Sequence, residues 1–214
     1  MNLDSVISRV ERAVDDASFG RGDIRGYIND GLEAVAGALP LPSLEKTAVV
    51  ETVADQNWLE LPSDFYMHLR YVQSEKTNRR VQMYPDIARL YERTPVTEGG
   101  LVRRCTAVGG RLYYSPTPAS PEELKIVYHA RPERYTASGT VTDYIPAHIG
   151  PALLEAYACK EIWDLIEDGV DGAKINTDRW EQKHAQRLEA LMLFLGPFYN
   201  RPVHEMETLD VMRL

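Results

Sequence analysis

The sequence predicts an α+β protein, in which helices from both ends of the chain form a bundle with an inserted antiparallel β meander or hairpin domain. Apolar residues recur every three or four positions near both ends, whereas the middle of the chain alternates and is rich in β-branched residues. The last 18 residues hold two prolines and scattered hydrophobic residues, which predicts an extended tail. The expected segments are N-terminal helices at 1–45, a β-rich insertion at 46–142, C-terminal helices at 143–196 and a docking tail at 197–214.

Two helices are expected within the first 39 residues. The first has an apolar stripe from Leu3 to Ala17, and Asp4 is placed to cap its start. A turn with two glycines then breaks this helix. Asp23 is placed to cap the second helix, which Pro40 ends because proline lacks the amide N–H and clashes with the preceding turn.

The β-rich insertion carries its clearest signal at Gly109-Gly110. Runs of strand-forming residues, 102–108 and 111–115, flank these glycines, which take the positive φ that a tight hairpin turn requires. A further strand at Leu124–Ala130 would complete an antiparallel meander of at least three strands. Shorter strands are expected near residues 47–53, 57–61 and 69–74, and a short helix is expected from Pro85.

The helical period returns after the insertion. One long helix is expected at about 147–168, and another from Asn176 or Thr177 up to Pro197. The residues beyond Pro197 cannot build a core of their own, so this tail is expected to be ordered only by a binding partner.

Composition excludes several classes of protein. The 214 residues include 24 Lys+Arg and 32 Asp+Glu, for a formal net charge of -8, and 44% of them are hydrophobic. The chain is too apolar to be disordered throughout, and no run approaches the about 18 uninterrupted apolar residues of a membrane-spanning helix. The N-terminus carries acids and lacks the apolar block of a secretory signal. Because neither half of the chain is basic, a duplex-DNA reader is also disfavoured.

Catalytic and metal-binding patterns are not found in the sequence. No two of the five histidines have the i, i+2 or i+4 spacing that places two imidazoles on one metal. The phosphate-binding, nucleophile-elbow and zinc-protease motifs do not occur. Cys105 and Cys159 are 54 positions apart and are expected to be buried thiols in a reducing compartment. We therefore expect no enzyme, no cofactor and no metal.

Two short basic clusters leave alternatives open. Lys76, Arg79 and Arg80 form one, and Arg103 and Arg104 form the other. Each is either a solvated face or a local contact to DNA or to an acidic partner. The twelve tyrosines and three tryptophans, against four phenylalanines, either pack the hairpin or favour a surface partly buried by another protein.

The order of several motifs resembles the head–tail adaptor (connector) proteins of tailed bacteriophages. The similarity covers roughly residues 20–195 and depends on the order and spacing of the motifs rather than on any one of them. The matching motifs are Tyr27-Ile28-Asn29-Asp30-Gly31-Leu32, Leu61-Pro62-Ser63-Asp64-Phe65, the run Gly109–Pro116, the strand Leu124–Tyr128, Ile145-Pro146 and Trp180.

The resemblance implies a structural role in the virion neck. Such adaptors form a ring, usually of twelve copies, beneath the capsid portal, receive the tail or nozzle protein, and let DNA pass without sequence-specific binding. The protein would be made in the host cytoplasm and would not bind a membrane. The resemblance also implies that the tail docks on the portal or on a neighbouring subunit, and that Arg103, Arg104 and Arg111 contact a subunit or the phage tail. The expected docking residues of the chain's own tail are Phe198, Tyr199, Val203, Met206, Leu209, Val211, Met212 and Leu214.

Two other functions remain open from the sequence. The first is a small non-enzymatic module that binds a protein or a ligand through its β domain. The second is an enzyme, which would require His129 or His148 to meet a carboxylate and a cysteine in one pocket.

Overall fold

A computed structural model describes residues 1–92, 99–136, 139–168 and 174–196, and it confirms the α+β class. The described residues form five α-helices and eight strands. The helices are α1 (Leu3–Val14), α2 (Arg21–Ala38), α3 (Ile87–Tyr91), α4 (Gly150–Glu167) and α5 (Ile175–Leu195). The strands are β1 (Glu45–Glu51), β2 (Trp58–Glu60), β3 (Phe65–Ser74), β4 (Arg79–Arg80), β5 (Gln82–Met83), β6 (Arg104–Val108), β7 (Arg111–Ser115) and β8 (Glu123–Ala130).

The chain divides into two compact units. The helical unit consists of Met1–Leu44 and of the described residues from Pro132 onward, and the β unit consists of Glu45–Arg131. Within the helical unit, α4 contacts α1, α2 and α5, so helices from both ends of the chain pack together as the sequence predicts. Its core is built from the apolar stripes of these helices: Leu3, Val6, Val10, Ile24, Ile28, Leu32, Leu153, Leu154 and Ile162.

Both predicted helix caps are wrong. The side chain of Asn2, not Asp4, accepts the N–H of Ser5 at 3.1 Å, so α1 starts at Leu3. The second helix starts at Arg21, before Asp23. The Asp23 carboxylate acts from inside the first turn and accepts the N–H of Gly20 at 3.0 Å. An acidic residue in the first turn also interacts favourably with the helix dipole, so an acid near the start of a helix need not be its N-cap. Here the N-cap is Gly20, and Asp23 lies three residues after it.

The Asn29-Asp30-Gly31 run of α2 fixes the helical unit internally. The Asn29 amide donates to the carbonyl of Tyr135 at 3.2 Å and accepts the N–H of Tyr135 at 2.7 Å. Asp30 pairs with Arg134 at 2.6 Å. Gly31 faces the ring of Tyr157 on α4, where a Cβ atom would lie 2.7 Å from the ring carbon Cδ1. The motif that carries the adaptor resemblance is therefore a packing motif in this unit.

The β unit contains two four-stranded sheets. The first has the strand order β1-β8-β3-β4 and the second has the order β2-β7-β6-β5. The predicted hairpin is present between β6 and β7, and Gly109 and Gly110 have φ of 61° and 79°. All pairs are antiparallel except β5 with β6, which is parallel.

The predicted three-strand meander is wrong in one respect. The strand β8 does not extend the β6–β7 hairpin but lies between β1 and β3 in the other sheet. The connector between β7 and β8 contains three prolines, which cannot donate to a sheet and so favour a change of sheet over a tight turn. The inner faces of both sheets contribute to one core, which includes Leu59, Val72, Cys105, Leu112, Tyr114, Leu124, Ile126 and Tyr128.

A buried glutamate joins strand ends from both sheets. Glu122 is only 3% exposed. Its carboxylate accepts the hydroxyl of Ser74 at the end of β3 and, at 3.0 Å, the N–H of Val102 just before β6. Its own N–H donates to the hydroxyl of Thr52 at 2.8 Å, next to the end of β1. Glu122 therefore supplies the acceptors for two buried donors that the sheets leave unpaired.

Replacing Glu122 by alanine is expected to lower the free energy of unfolding by about 2 to 4 kcal/mol, because two buried donors lose their acceptor. The matched control is Glu123→Ala, which removes the neighbouring, exposed carboxyl and is expected to change stability by about 0.5 kcal/mol or less. Urea unfolding of both variants measures the difference, and equal losses in the two variants would contradict the role given to Glu122.

Candidate assembly surface

The hairpin holds Arg111 and Arg104 at opposite ends. Arg111 lies at the turn, where its guanidinium carbon is 4.2 Å from the centroid of the Trp58 ring. Arg104 lies at the open end, opposite Ser115. The contacts of Arg103, Arg104 and Arg111 with a subunit or the phage tail stay a prediction, made from two ends of the hairpin rather than from one point.

The structure brings together the two short basic clusters of the sequence. The segment 79–83 runs from one sheet to the other, since β4 pairs with β3 and β5 pairs with β6. Between these strands the buried Val81 donates to the carbonyl of Val72 at 2.8 Å. The N–H of Gln82 donates to the carbonyl of Arg103 at 2.9 Å, which fixes the second cluster beside the first. We call this surface the cationic corner, and it comprises Lys76, Arg79, Arg80, Arg103 and Arg104.

Four of the five residues of the cationic corner are exposed, Arg104 is half-buried, and all five lie on hydrogen-bonded strand backbone or directly beside it. Lys76, Arg79 and Arg103 are exposed, and their side chains take part in none of the ion pairs found among the described residues. Arg80 lies over the ring of Tyr71, at 5.7 Å from its centroid. Sequence inspection found both clusters but could not place them together, because their proximity depends on the parallel pairing of β5 with β6.

A second candidate surface is the last turn of α5. Leu193 is 77% exposed and Phe194 is 58% exposed, and the edge of the Phe194 ring contacts His148 with the ring centroids 5.1 Å apart. The sequence already indicates this surface, because residues 191–195 are five consecutive apolar residues. One face of a helix cannot bury all five, so some of them must be exposed. The predicted docking residues of the tail follow directly, but they lie outside the described residues.

The two histidines of the enzyme alternative have aromatic ring neighbours among the described residues. The ring of His129 packs edge-on against His68, and that of His148 packs against Phe194. Burial raises the pKa of the Cys159 thiol to about 12, which disfavours the reactive thiolate. Among the described residues, no three His, Cys, Asp or Glu side chains are grouped to hold a metal. The described helices include none with the length and apolar character needed to cross a membrane.

The buried His129 should make stability depend on pH. Its ring is 4% exposed and neither nitrogen has a hydrogen-bond partner among the described residues. Burial, aided by Arg70 and His68, lowers its pKa from 6.5 to about 4. The unfolded chain therefore binds this proton at a higher pH than the folded chain does. The stability from neutral His129 is fully present above about pH 6.5 and is lost as the pH falls towards 4.

Lowering the pH from 7.5 to 4.5 should therefore remove about 2 to 3 kcal/mol of stability through His129 alone. Urea unfolding at both pH values, on the wild type and on His129→Gln, isolates this contribution because glutamine does not titrate. The variant is expected to lose correspondingly less stability between the two pH values, and an unchanged loss would contradict this role for His129.

Comparison with known proteins agrees with the motifs. A family model described as SU10 adaptor protein matches residues 1–199, which include both units and every motif of the resemblance. No curated protein gives a significant match. The predicted resemblance to phage adaptors is thereby confirmed. Because the match extends over 199 of the 214 residues, the protein belongs to the SU10 adaptor protein family and is a bacteriophage adaptor, a structural component of the virion.

Proposed function

We propose that this protein is a head-to-tail adaptor, which forms a ring under the portal, joins the capsid to the phage tail and lets DNA pass through the centre. The observation that carries the proposal is the family match over residues 1–199. In this proposal the helices of 1–45 and 143–196 form the ring body, the insertion at 46–142 contacts neighbours, and the segment 197–214 docks on the portal.

The residues of the family motifs support a structural role. In the β unit, Asp64 of the Leu61–Phe65 motif accepts the hydroxyl of Tyr128 at 2.7 Å and the ammonium group of Lys46 at 2.8 Å. The hydroxyl of the fully buried Tyr114 donates to the carbonyl of Trp58 at 3.1 Å. These contacts hold the fold, as the Asn29-Asp30-Gly31 run does in the helical unit. The surfaces proposed for assembly are the cationic corner, Arg111 and the end of α5.

The apolar end of α5 supports the proposed docking by the tail. Leu193 and Phe194 lie one helical turn before the tail, so the apolar docking segment would begin on a formed helix. Large exposed hydrophobic side chains in adjacent positions are typical of a surface that a partner covers. The proposed occupants are the portal and a neighbouring copy, and the outer or lower face of the ring would receive the tail or nozzle protein.

The acidic composition supports passage of DNA through the ring. Because the chain has a net charge of -8, binding of DNA phosphates to a channel wall made of this protein is disfavoured. The proposed ring contains twelve copies, as in the adaptors that the chain resembles.

The proposal is tested by mixing the full chain with the portal protein of the same phage and imaging the product by electron microscopy. The expected result is a ring of twelve copies on one end of the portal. A chain that stays monomeric or dimeric and leaves the portal bare would instead favour a small binding module.

A further inference from the structure

Positive and negative charge are unevenly distributed between the two units. The described residues of the helical unit contain 17 Asp+Glu and 10 Lys+Arg, whereas those of the β unit contain 10 Asp+Glu and 11 Lys+Arg. The acidic excess of the described chain thus lies on the helical unit. In the β unit, three exposed cations at the cationic corner, Lys76, Arg79 and Arg103, join no ion pair within the described residues.

Two arginines of the cationic corner differ in their pairing from three arginines of the helical unit. In the helical unit, Arg9, Arg21 and Arg134 each have carboxylate partners within 3.3 Å. At the cationic corner, Arg79 and Arg103 are exposed and join no ion pair within the described part of the chain. An arginine fork binds a carboxylate through two parallel hydrogen bonds, so an acidic protein surface is the partner that fits these side chains.

The geometry points to a contact in which the cationic corner of one copy binds the acidic helical unit of a second copy. This inference rests on the proposed ring and names the surfaces that would form it. Two different surfaces meet in such a contact, and a head-to-tail contact of this kind generates a closed ring when its rotation closes. Charge complementarity would also set the register between copies and speed their association.

The strand backbone favours such a contact. Arg79 and Arg80 belong to a segment whose backbone is hydrogen-bonded to both sheets, and Arg103 donates its N–H to the carbonyl of Ser115 at 3.1 Å. Cations on a fixed backbone lose less conformational entropy on binding than cations on a free loop.

Duplex DNA is the less favoured occupant of the corner. Glu75, in the turn between β3 and β4, shares the local surface with Lys76 and reduces its positive charge. The whole chain is acidic, so a phosphate backbone would be repelled by most of the molecule. The carboxylates of a second copy have a lower density of negative charge than the phosphates of duplex DNA, so they meet less repulsion from the acidic chain.

The test is a double charge reversal, Arg79→Glu with Arg103→Glu, compared with Arg89→Glu as the control. Arg89 is exposed on α3 of the same unit, so the control reverses a surface charge outside the corner. Each full-length protein is titrated onto the portal, and ring occupancy is counted by electron microscopy at low and at higher salt. The double variant should need at least about tenfold more protein for half occupancy, whereas Arg89→Glu should match the wild type. Unfolding midpoints near the wild-type value show that both variants are folded.

The results separate this inference from the proposed function. If the wild type forms rings and the double variant forms equally complete rings at the same protein concentration, the inference is overturned and the ring proposal stays intact. A wild type that forms no ring would overturn the proposed function itself. A double variant that loses only the binding of a short DNA duplex, with ring occupancy unchanged, would assign the corner to DNA and also overturn the inference.

Discussion

Ending the chain after Gly196 is expected to leave a folded protein that no longer attaches to the portal. All core residues found in the described part of the chain precede this point, and α5 ends there with the N–H of Gly196 donating to the carbonyl of Met192 at 3.1 Å. The unfolding midpoint should therefore stay near that of the full chain. Portal binding should fall at least about a hundredfold, because the eight apolar side chains proposed to dock are removed together.

A full-length control shows whether attachment requires the apolar residues of the tail or only the length of the chain. Serine at the eight proposed docking positions, Phe198 to Leu214, keeps the chain length and is expected to abolish attachment as the truncation does. Alanine at Arg201 and His204, which lie between those positions, is expected to retain attachment. Normal decoration of the portal by the truncated chain would show that the tail is not the docking element.

The substitution Gly31→Ala is expected to be among the most destabilising single changes in the helical unit. A Cβ atom at this position would lie 2.7 and 2.9 Å from two ring carbons of Tyr157 and 3.2 Å from its Cβ. Two of these atoms, Cγ and Cβ, lie at the root of the side chain and cannot swing away, so α2 and α4 must move apart to relieve the clash. We expect a loss of about 2 to 3 kcal/mol in the free energy of unfolding, despite the higher helix propensity of alanine.

The control for this prediction lies on the same helix. Gly26 has open space where a Cβ would stand, so Gly26→Ala is expected to raise stability by up to about 1 kcal/mol. A Tyr157→Ala background should reduce the cost of Gly31→Ala, since it removes the ring that the new methyl group meets. Equal stability of Gly31→Ala and Gly26→Ala would contradict the close approach of α2 to α4.

Elements that depend on local signals could be predicted from the sequence. The hairpin at Gly109-Gly110 requires positive φ at two adjacent residues, and the sequence provides glycine at both. The partners of β8 could not be predicted, because each residue of β8 pairs with residues of β1 and β3 that are fifty or more positions away. The same limitation applies to the cationic corner, whose two clusters are joined only through the pairing of β5 with β6.

Glu122 shows why side-chain roles are harder to predict than elements. It lies at the end of a connector with three prolines, where a carboxyl group is expected to be solvated. Its role depends on Ser74 and Val102, which come from other strand ends and converge only in the folded chain. The Asn29-Asp30-Gly31 run is similar, since sequence resemblance marks it but only the structure shows what it contacts.

The central claim is that this adaptor forms a ring beneath the portal with its C-terminal segment docked on another chain. The most direct measurement is a cryo-electron microscopy structure of the neck of the assembled phage particle. The account predicts twelve copies under the portal, with residues 198–214 extended and buried against the portal or a neighbouring copy. A neck in which this protein occupies another position, or in which its last 18 residues are solvent-exposed, would contradict it.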